Sequence, residues 1–214
     1  MTETELREQI CQLAKSMFDR GLTVGSSGNI SARCNDGGLL VTPIDSCFGR
    51  LDPARLSRFD ATGTLISGDL PTKEMPLHAA FYDSRSQAGA IVHLHATHSV
   101  ALSTLPVDDA ANFLPPLTAY SVMRLGKVAL LPYFRPGDSA VANAIRGLAG
   151  KHSAVMLANH GPVVAGKGLE AAVYAVEELE ETARLALLLR GLPARGLDNA
   201  QIRDVVNHFD VEWD

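Results

Sequence analysis

The sequence is short of cysteine, of charge and of long apolar runs, and each shortage removes a class of protein. Its three cysteines, Cys11, Cys34 and Cys47, form no Cys-x-x-Cys pair and no even framework. A disulfide scaffold is therefore not expected, and a reducing compartment suits the chain. Charged residues make up only 20%, and the net charge is −5. That balance offers no basic footprint for nucleic acid. No purely apolar stretch approaches the roughly 18 residues that span a bilayer, the longest run without Asp, Glu, Lys or Arg, from Ser86 to Val107, being broken by histidines and hydroxyls. The acidic start, Met1-Thr2-Glu3-Thr4-Glu5, lacks the basic and apolar segments of a secretory signal. A cytoplasmic protein with neither membrane nor nucleic-acid partner is the expectation. What is present is ordinary: 214 residues, 46% of them apolar, fit one domain that buries roughly 70% of its unfolded surface.

Periodicity places the elements. Leu6, Ile10, Leu13 and Met17 share a helical face, with Thr2 and Glu5 as a capping box and Gly21 as a stop. Gly25-Ser26-Ser27-Gly28-Asn29-Ile30-Ser31 reads as a turn entering a strand, and Leu39–Thr42 as a second strand. Arg58–Ile66 reads as a hairpin turning at Thr62-Gly63. Thr72 is expected to open a helix with Glu74 in its first turn. Gly89–His95, Val128–Leu131 and Ala154–Leu157 are apolar strands, and Glu170–Arg190 is a long helix stopped by Gly191. Several strands are joined too tightly for crossover helices. The fold class expected is therefore α/β, a single domain over residues 1–214 with a mainly antiparallel sheet sandwiched by helices.

Three histidines stand where chemistry is possible. Strand alternation sends the side chains of His93 and His95 the same way. His160 follows another apolar strand, before a Gly161-Pro162 pair expected to turn the chain sharply. Three imidazoles with one open position make a catalytic zinc site; the same residues also occur as hydrogen-bonded core histidines. Glu74 is the natural acid–base candidate, although a glutamate there also serves simply to start a helix. His98 is a candidate for a supporting role beside the pair, while His152 and His208 read as surface residues and His78 has no assigned role.

These pieces occur together in a recognisable order. Gly28-Asn29, Val41-Thr42-Pro43, Lys73-Glu74, His93-x-His95 and Asn159-His160-Gly161 resemble the class II aldolase/adducin family along nearly the whole chain. The resemblance implies one zinc ion per chain on His93, His95 and His160, and Glu74 as the proton carrier. It implies substrate binding, phosphate included, by Gly28 and Asn29, with Thr42, Thr72 and Lys73 beside them. It also implies a homotetramer in which Tyr120 reaches into a neighbour's site.

Further stretches, among them Leu51-Asp52-Pro53, Val122-Met123-Arg124, Tyr133–Asp138 and Glu177–Ala183, resemble the 3-oxo-tetronate 4-phosphate decarboxylase subgroup of that family. The implied reaction is zinc-dependent decarboxylation of a 3-oxo sugar acid through an enediolate, giving dihydroxyacetone phosphate and carbon dioxide. A sugar-phosphate aldolase or 4-epimerase is the alternative. A non-catalytic adducin-like module is disfavoured by the three histidines and Glu74. Arg124 or Arg135 is a candidate to orient the substrate carboxylate by paired hydrogen bonds, with a simple surface ion pair as the equal alternative for either. One departure stands out: Thr42-Pro43 continues as Ile44-Asp45, where phosphate-binding relatives have Thr-Gly. Either Asp45 points away, or Lys73 compensates, or the substrate carries no phosphate.

Overall fold

The computed structural model describes residues 1–148 and 150–213. Eight strands form one sheet: β1 (Asn29–Arg33), β2 (Leu39–Val41), β3 (Ser57–Phe59), β4 (Leu65–Ser67), β5 (Ala90–His93), β6 (Ala129–Leu131), β7 (Ala154–Leu157) and β8 (Gly161–Gly166). Their spatial order is β4-β3-β2-β1-β5-β8-β7-β6. Every pairing is antiparallel except β6 with β7, as the tight connections require.

Helices cover both faces, and strand alternation decides what each face meets. Ile30, Val92, Met156 and Val164 pack with Leu6, Ile10 and Met17 of α1 (Glu3–Asp19) and with Val173, Val176 and Leu179 of α6 (Leu169–Leu188). Ile91, Val155, Leu157 and Val163 point the other way. They meet Leu77 and Phe81 of α2 (Met75–Ser84) and Val141 and Ile145 of α5 (Ala140–Gly147). Each fully buried Leu, Ile or Phe contributes roughly 1.5–3 kcal/mol. The expected capping box at Thr2 and Glu5 is present at the start of α1, and Asp60 organises the expected β3–β4 turn.

Two local expectations are corrected. The helix after Thr72 begins at Met75, with Glu74 at its N-cap position and making no cap bond. Thr72 Oγ1 instead accepts from the Glu74 backbone N–H at 3.2 Å, which leaves the glutamate side chain free to turn inward. Gly161-Pro162 does not turn the chain; the turn lies before it, with Asn159 in the left-handed region at φ 58° and His160 N–H donating to Leu157 O. Gly161 already belongs to β8, where Leu94 runs so close that a Cβ would sit 2.0 Å from its carbonyl oxygen. That approach demands glycine.

Helices α3 (Thr97–Ser103), α4 (Ala119–Leu125) and α7 (Asn199–Phe209) complete the helical set. The start of α3 is capped from a distance. Glu180 on α6 accepts from His98 N–H and Ser99 N–H at 2.9 and 2.8 Å and from the Ser99 hydroxyl.

Gly161→Ala should therefore destabilise the fold by on the order of 2–4 kcal/mol. Gly147→Ala, where the new methyl meets nothing within 4 Å, should be neutral or stabilising by up to about 1 kcal/mol. Urea unfolding of the two variants checks the contrast; equal midpoints would contradict the close approach at Leu94.

Candidate active site

Sheet register fixes the site. His93 ends β5 and lies directly opposite Asn29 of β1, and both belong to the face covered by α2. Gly28, at φ +88°, lets the preceding turn press against β5, its Cβ position lying 3.0 Å from His93 O. His95 follows two residues on, and His160 arrives from the β7–β8 turn. The three rings stand edge-on to one another, with centroids 4.7–4.9 Å apart. Nε2 of His93 is 3.1 Å from Nε2 of His95 and 3.4 Å from that of His160. The Glu74 carboxylate closes the group, 3.3 Å from His93 Nε2 and 3.4 Å from His160 Nε2.

The donor chemistry is that of a cation site. A carbonyl can only accept, so the 2.8 Å contact between His93 Nδ1 and Pro162 O puts the His93 proton on Nδ1 and turns the Nε2 lone pair inward. Burial holds all three imidazoles below the ordinary histidine value, His93 down to about 4, so they are neutral near pH 7. Burial alone pushes the Glu74 carboxyl up, but His93, the Asn29 amide and the other two imidazoles outweigh it and hold it below the usual range. Lone pairs and a carboxylate thus face one another within 4.8 Å, an arrangement that a divalent cation relieves. Ligand atoms about 2.0–2.1 Å from a tetrahedral ion lie roughly 3.3–3.4 Å apart, close to the spacing of the imidazole nitrogens. His93 has the outer partner that metal-bound histidines usually have. His160 Nδ1 is buried without one, the single such side-chain atom among the described residues.

The remaining predicted residues divide. Thr42, Thr72 and Asn29 are buried around the Glu74 turn, and Thr72 N–H donates to Thr42 O at 3.3 Å. The Thr42 hydroxyl accepts from Ile30 N–H at 3.0 Å. Lys73 is exposed at the rim. Arg135, with Phe134 and Asp138, lines a small cavity beside Glu74 and His160. Arg124 does not; it lies over the rings of Tyr120 and Tyr174, along a groove that the histidines do not line. Tyr120 is 60% exposed there. Asp45 is exposed, in the left-handed region at φ 54°, and lines a depression with Arg50, Arg55 and Asp69 rather than the cavity at Glu74. His98 pairs with Glu180 at 2.8 Å rather than supporting the trio. His152 is half-buried, its Nδ1 donating to Lys127 O at 2.8 Å, whereas His208 is exposed as expected.

Sequence reasoning missed His78. It is fully buried one helical turn below Glu74, with Nε2 2.5 Å from Asn29 Oδ1 and Nδ1 2.7 Å from Ser31 Oγ. The signal was its spacing, four residues after the glutamate on the same helix face.

Residues 8–187 match the family described as Class II Aldolase and Adducin N-terminal domain. The chain is 47% identical over 203 residues to the 3-oxo-tetronate 4-phosphate decarboxylase of Escherichia coli strain K12, covering 95% of this chain and 96% of that one. It is 30% identical over 213 residues to the L-fuculose phosphate aldolase of the same strain, covering 98% and 96%. The crystal structure of YgbL from Escherichia coli superposes with a TM-score of 0.92 at 46% identity, covering 95% of this chain and 98% of that one.

The buried imidazole of His78 makes stability depend on acid. Burial lowers its pKa from 6.5 to about 3, so between those values the unfolded chain binds a proton that the native state refuses. Its contribution is intact above about pH 6.5 and is lost as pH falls through 3, by on the order of 5 kcal/mol in all. Urea midpoints from pH 7 down to pH 4 should fall less steeply in His78→Gln; parallel slopes would contradict the assignment.

Proposed function

The chain belongs to the class II aldolase and adducin family, and we propose that within it this protein is a zinc-dependent decarboxylase acting on 3-oxo-tetronate 4-phosphate. The observation that carries this reading is the 47% identity, over nearly the full length of both chains, with a decarboxylase of that substrate. The complete cluster of Glu74, His93, His95 and His160 supports a catalytic rather than a purely interacting protein.

In the proposed reaction the bond between the substrate's carboxylate carbon and C2 breaks. Carbon dioxide leaves, and a proton is added at C2 to give dihydroxyacetone phosphate. Zinc on His93, His95 and His160 supplies, when bound, a Lewis acid for the electrons released at the neighbouring carbonyl. Glu74, ionised at rest, takes up a proton from solvent and passes it to C2. The Gly28-Asn29 turn, Thr42, Thr72 and Lys73 hold the phosphate end, and the position of Asp45 in a separate depression removes it from competition there. Arg135, rather than Arg124, faces the substrate carboxylate. Tyr120 and Arg124, on their separate groove, meet a neighbouring copy in a cytoplasmic homotetramer.

The zinc-loaded protein should release carbon dioxide from 3-oxo-tetronate 4-phosphate. Cleavage of L-fuculose 1-phosphate with no attack on the oxo acid would replace this reading by the aldolase one. His95→Ala should lose metal as well as activity. Glu74→Gln should keep its metal while turnover falls about 10²–10⁴-fold.

Arg135 is exposed, so its pairing with a carboxylate is a modest, screened interaction made before the bond breaks. Arg135→Gln should then raise KM by about 3–10-fold and leave kcat within about twofold, the pattern of lost ground-state binding. Arg124→Gln should leave KM unchanged in the assembled enzyme; the reverse ranking would exchange the two roles.

A further inference from the structure

Behind Glu74 a buried ladder of hydrogen bonds runs between α2 and β1. Glu74, His78 and Tyr82 are spaced by four along the helix, and Asn29 and Ser31 are spaced by two along the strand. The contacts alternate between the two elements. Asn29 Nδ2 donates to Glu74 Oε2 at 2.8 Å, His78 bridges Asn29 and Ser31 at 2.5 and 2.7 Å, and Ser31 Oγ lies 3.0 Å from the Tyr82 hydroxyl. Ser31 and His78 are 0% exposed and Asn29 is 4% exposed.

One charge sets every proton in this ladder. An ionised carboxylate only accepts, so the Asn29 amide must turn its NH₂ group to Glu74 and its oxygen to His78. That oxygen also only accepts, so His78 must carry its proton on Nε2. Its Nδ1 is then a lone pair that takes the Ser31 hydroxyl proton, and Ser31 Oγ in turn accepts from Tyr82. Burial keeps His78 neutral, its pKa brought down to about 3, and burial raises the Tyr82 phenol, so both remain in these roles at neutral pH. Four donors point in sequence at one carboxylate.

We infer that His78 is a positioning residue for Glu74: through its Nε2–H it locks the Asn29 amide in the one orientation that holds the proton carrier in place. Without that donor the buried amide oxygen has lost its partner, and the amide holds the carboxylate less firmly. His78 touches neither the histidine cluster's inward nitrogens nor the cavity beside them. The inference rests on Glu74 being the proton carrier, and its test keeps the two apart.

Nitrogen-15 spectra of the zinc-loaded, full-length protein labelled at histidine should show His78 neutral and protonated at Nε2. An Nδ1–H or cationic His78 would overturn the inference whatever Glu74 does. His78→Leu, which removes the donor, should lower kcat about 10–100-fold with KM within twofold and zinc content unchanged. His78→Gln, whose amide nitrogen reaches the Nε2 position, should recover most of that loss. Equal losses in the two variants, or a loss carried by KM or by zinc, would show His78 to be merely structural. Should His78→Leu fail to fold, Ser31→Ala leaves every ring packed. With Asn29 Oδ1 still accepting from the ring, His78 should stay protonated at Nε2 there, and a proton moved to Nδ1 would overturn the inference. Full activity in Glu74→Gln would instead remove the proton-carrier reading, and the tautomer result would still stand or fall on its own.

Discussion

A helix advances about 6 Å in four residues and a strand about 6.5 Å in two, and the site depends on that near-coincidence. It lets the Glu74, His78 and Tyr82 face of α2 mesh with Asn29 and Ser31 of β1 rung by rung. The surrounding layer is apolar: Leu77, Phe81 and Ile91 pack around the same interface. A polar group buried there without a partner would cost roughly 1–3 kcal/mol, and a buried charge more. Each rung is satisfied by the next, so the strip is tolerated as a whole and in one arrangement only. The carboxylate that ends it inherits that definition.

The histidine cluster is anchored to the same sheet by different means. His93 is placed by strand register and by the Pro162 carbonyl, His160 by the left-handed turn at Asn159. Gly161 lets Leu94 run against β8 at close range, its N–H donating to Pro162 O, and this brings His95 beside the turn that carries His160. Just beyond, Glu180 ties the first turn of α3 to α6, fixing where the chain goes after His95. Histidines distant in sequence therefore converge because backbone segments touch, not because their spacing is special.

Elements whose signals are local were readable in advance: the capping box of α1, the turn at Thr62-Gly63, and the apolar strand into His93, expected over Gly89–His95 and found over Ala90–His93, all follow from neighbouring residues. The failures have tertiary causes. The helix expected at Thr72 starts at Met75 because the Thr72 hydroxyl takes the Glu74 N–H and the glutamate side chain is drawn to the imidazoles and Asn29. Gly161-Pro162 has turn composition but sits in β8, where a close backbone approach selects the glycine. The cap of α3 comes from Glu180, about eighty residues away, and no local pattern carries it. His78 passed unnoticed because its importance depends on β1, whose register against α2 is a product of folding. His98 was credited with support for the cluster on proximity alone, and its partner proved to be Glu180.

Charge gives a reason for the site's composition. Three neutral imidazoles and one carboxylate around a dipositive ion leave one net positive charge, and Lys73 and Arg135 add two more at the rim. A doubly ionised phosphate with a carboxylate carries three negative charges, so the proposed substrate is matched locally although the whole chain is net negative at −5. Decarboxylation followed by protonation removes the carboxylate charge and leaves the phosphate. In the proposed reaction Arg135, which lines the cavity beside Glu74, would then face a product with no anionic partner for it, while the phosphate end would keep its contacts. The attraction that draws the substrate in is thus weakened by the reaction itself. An aldol cleavage, which sheds a neutral aldehyde, leaves the anionic charge of its substrate unchanged and would draw no such advantage from an arginine at that position.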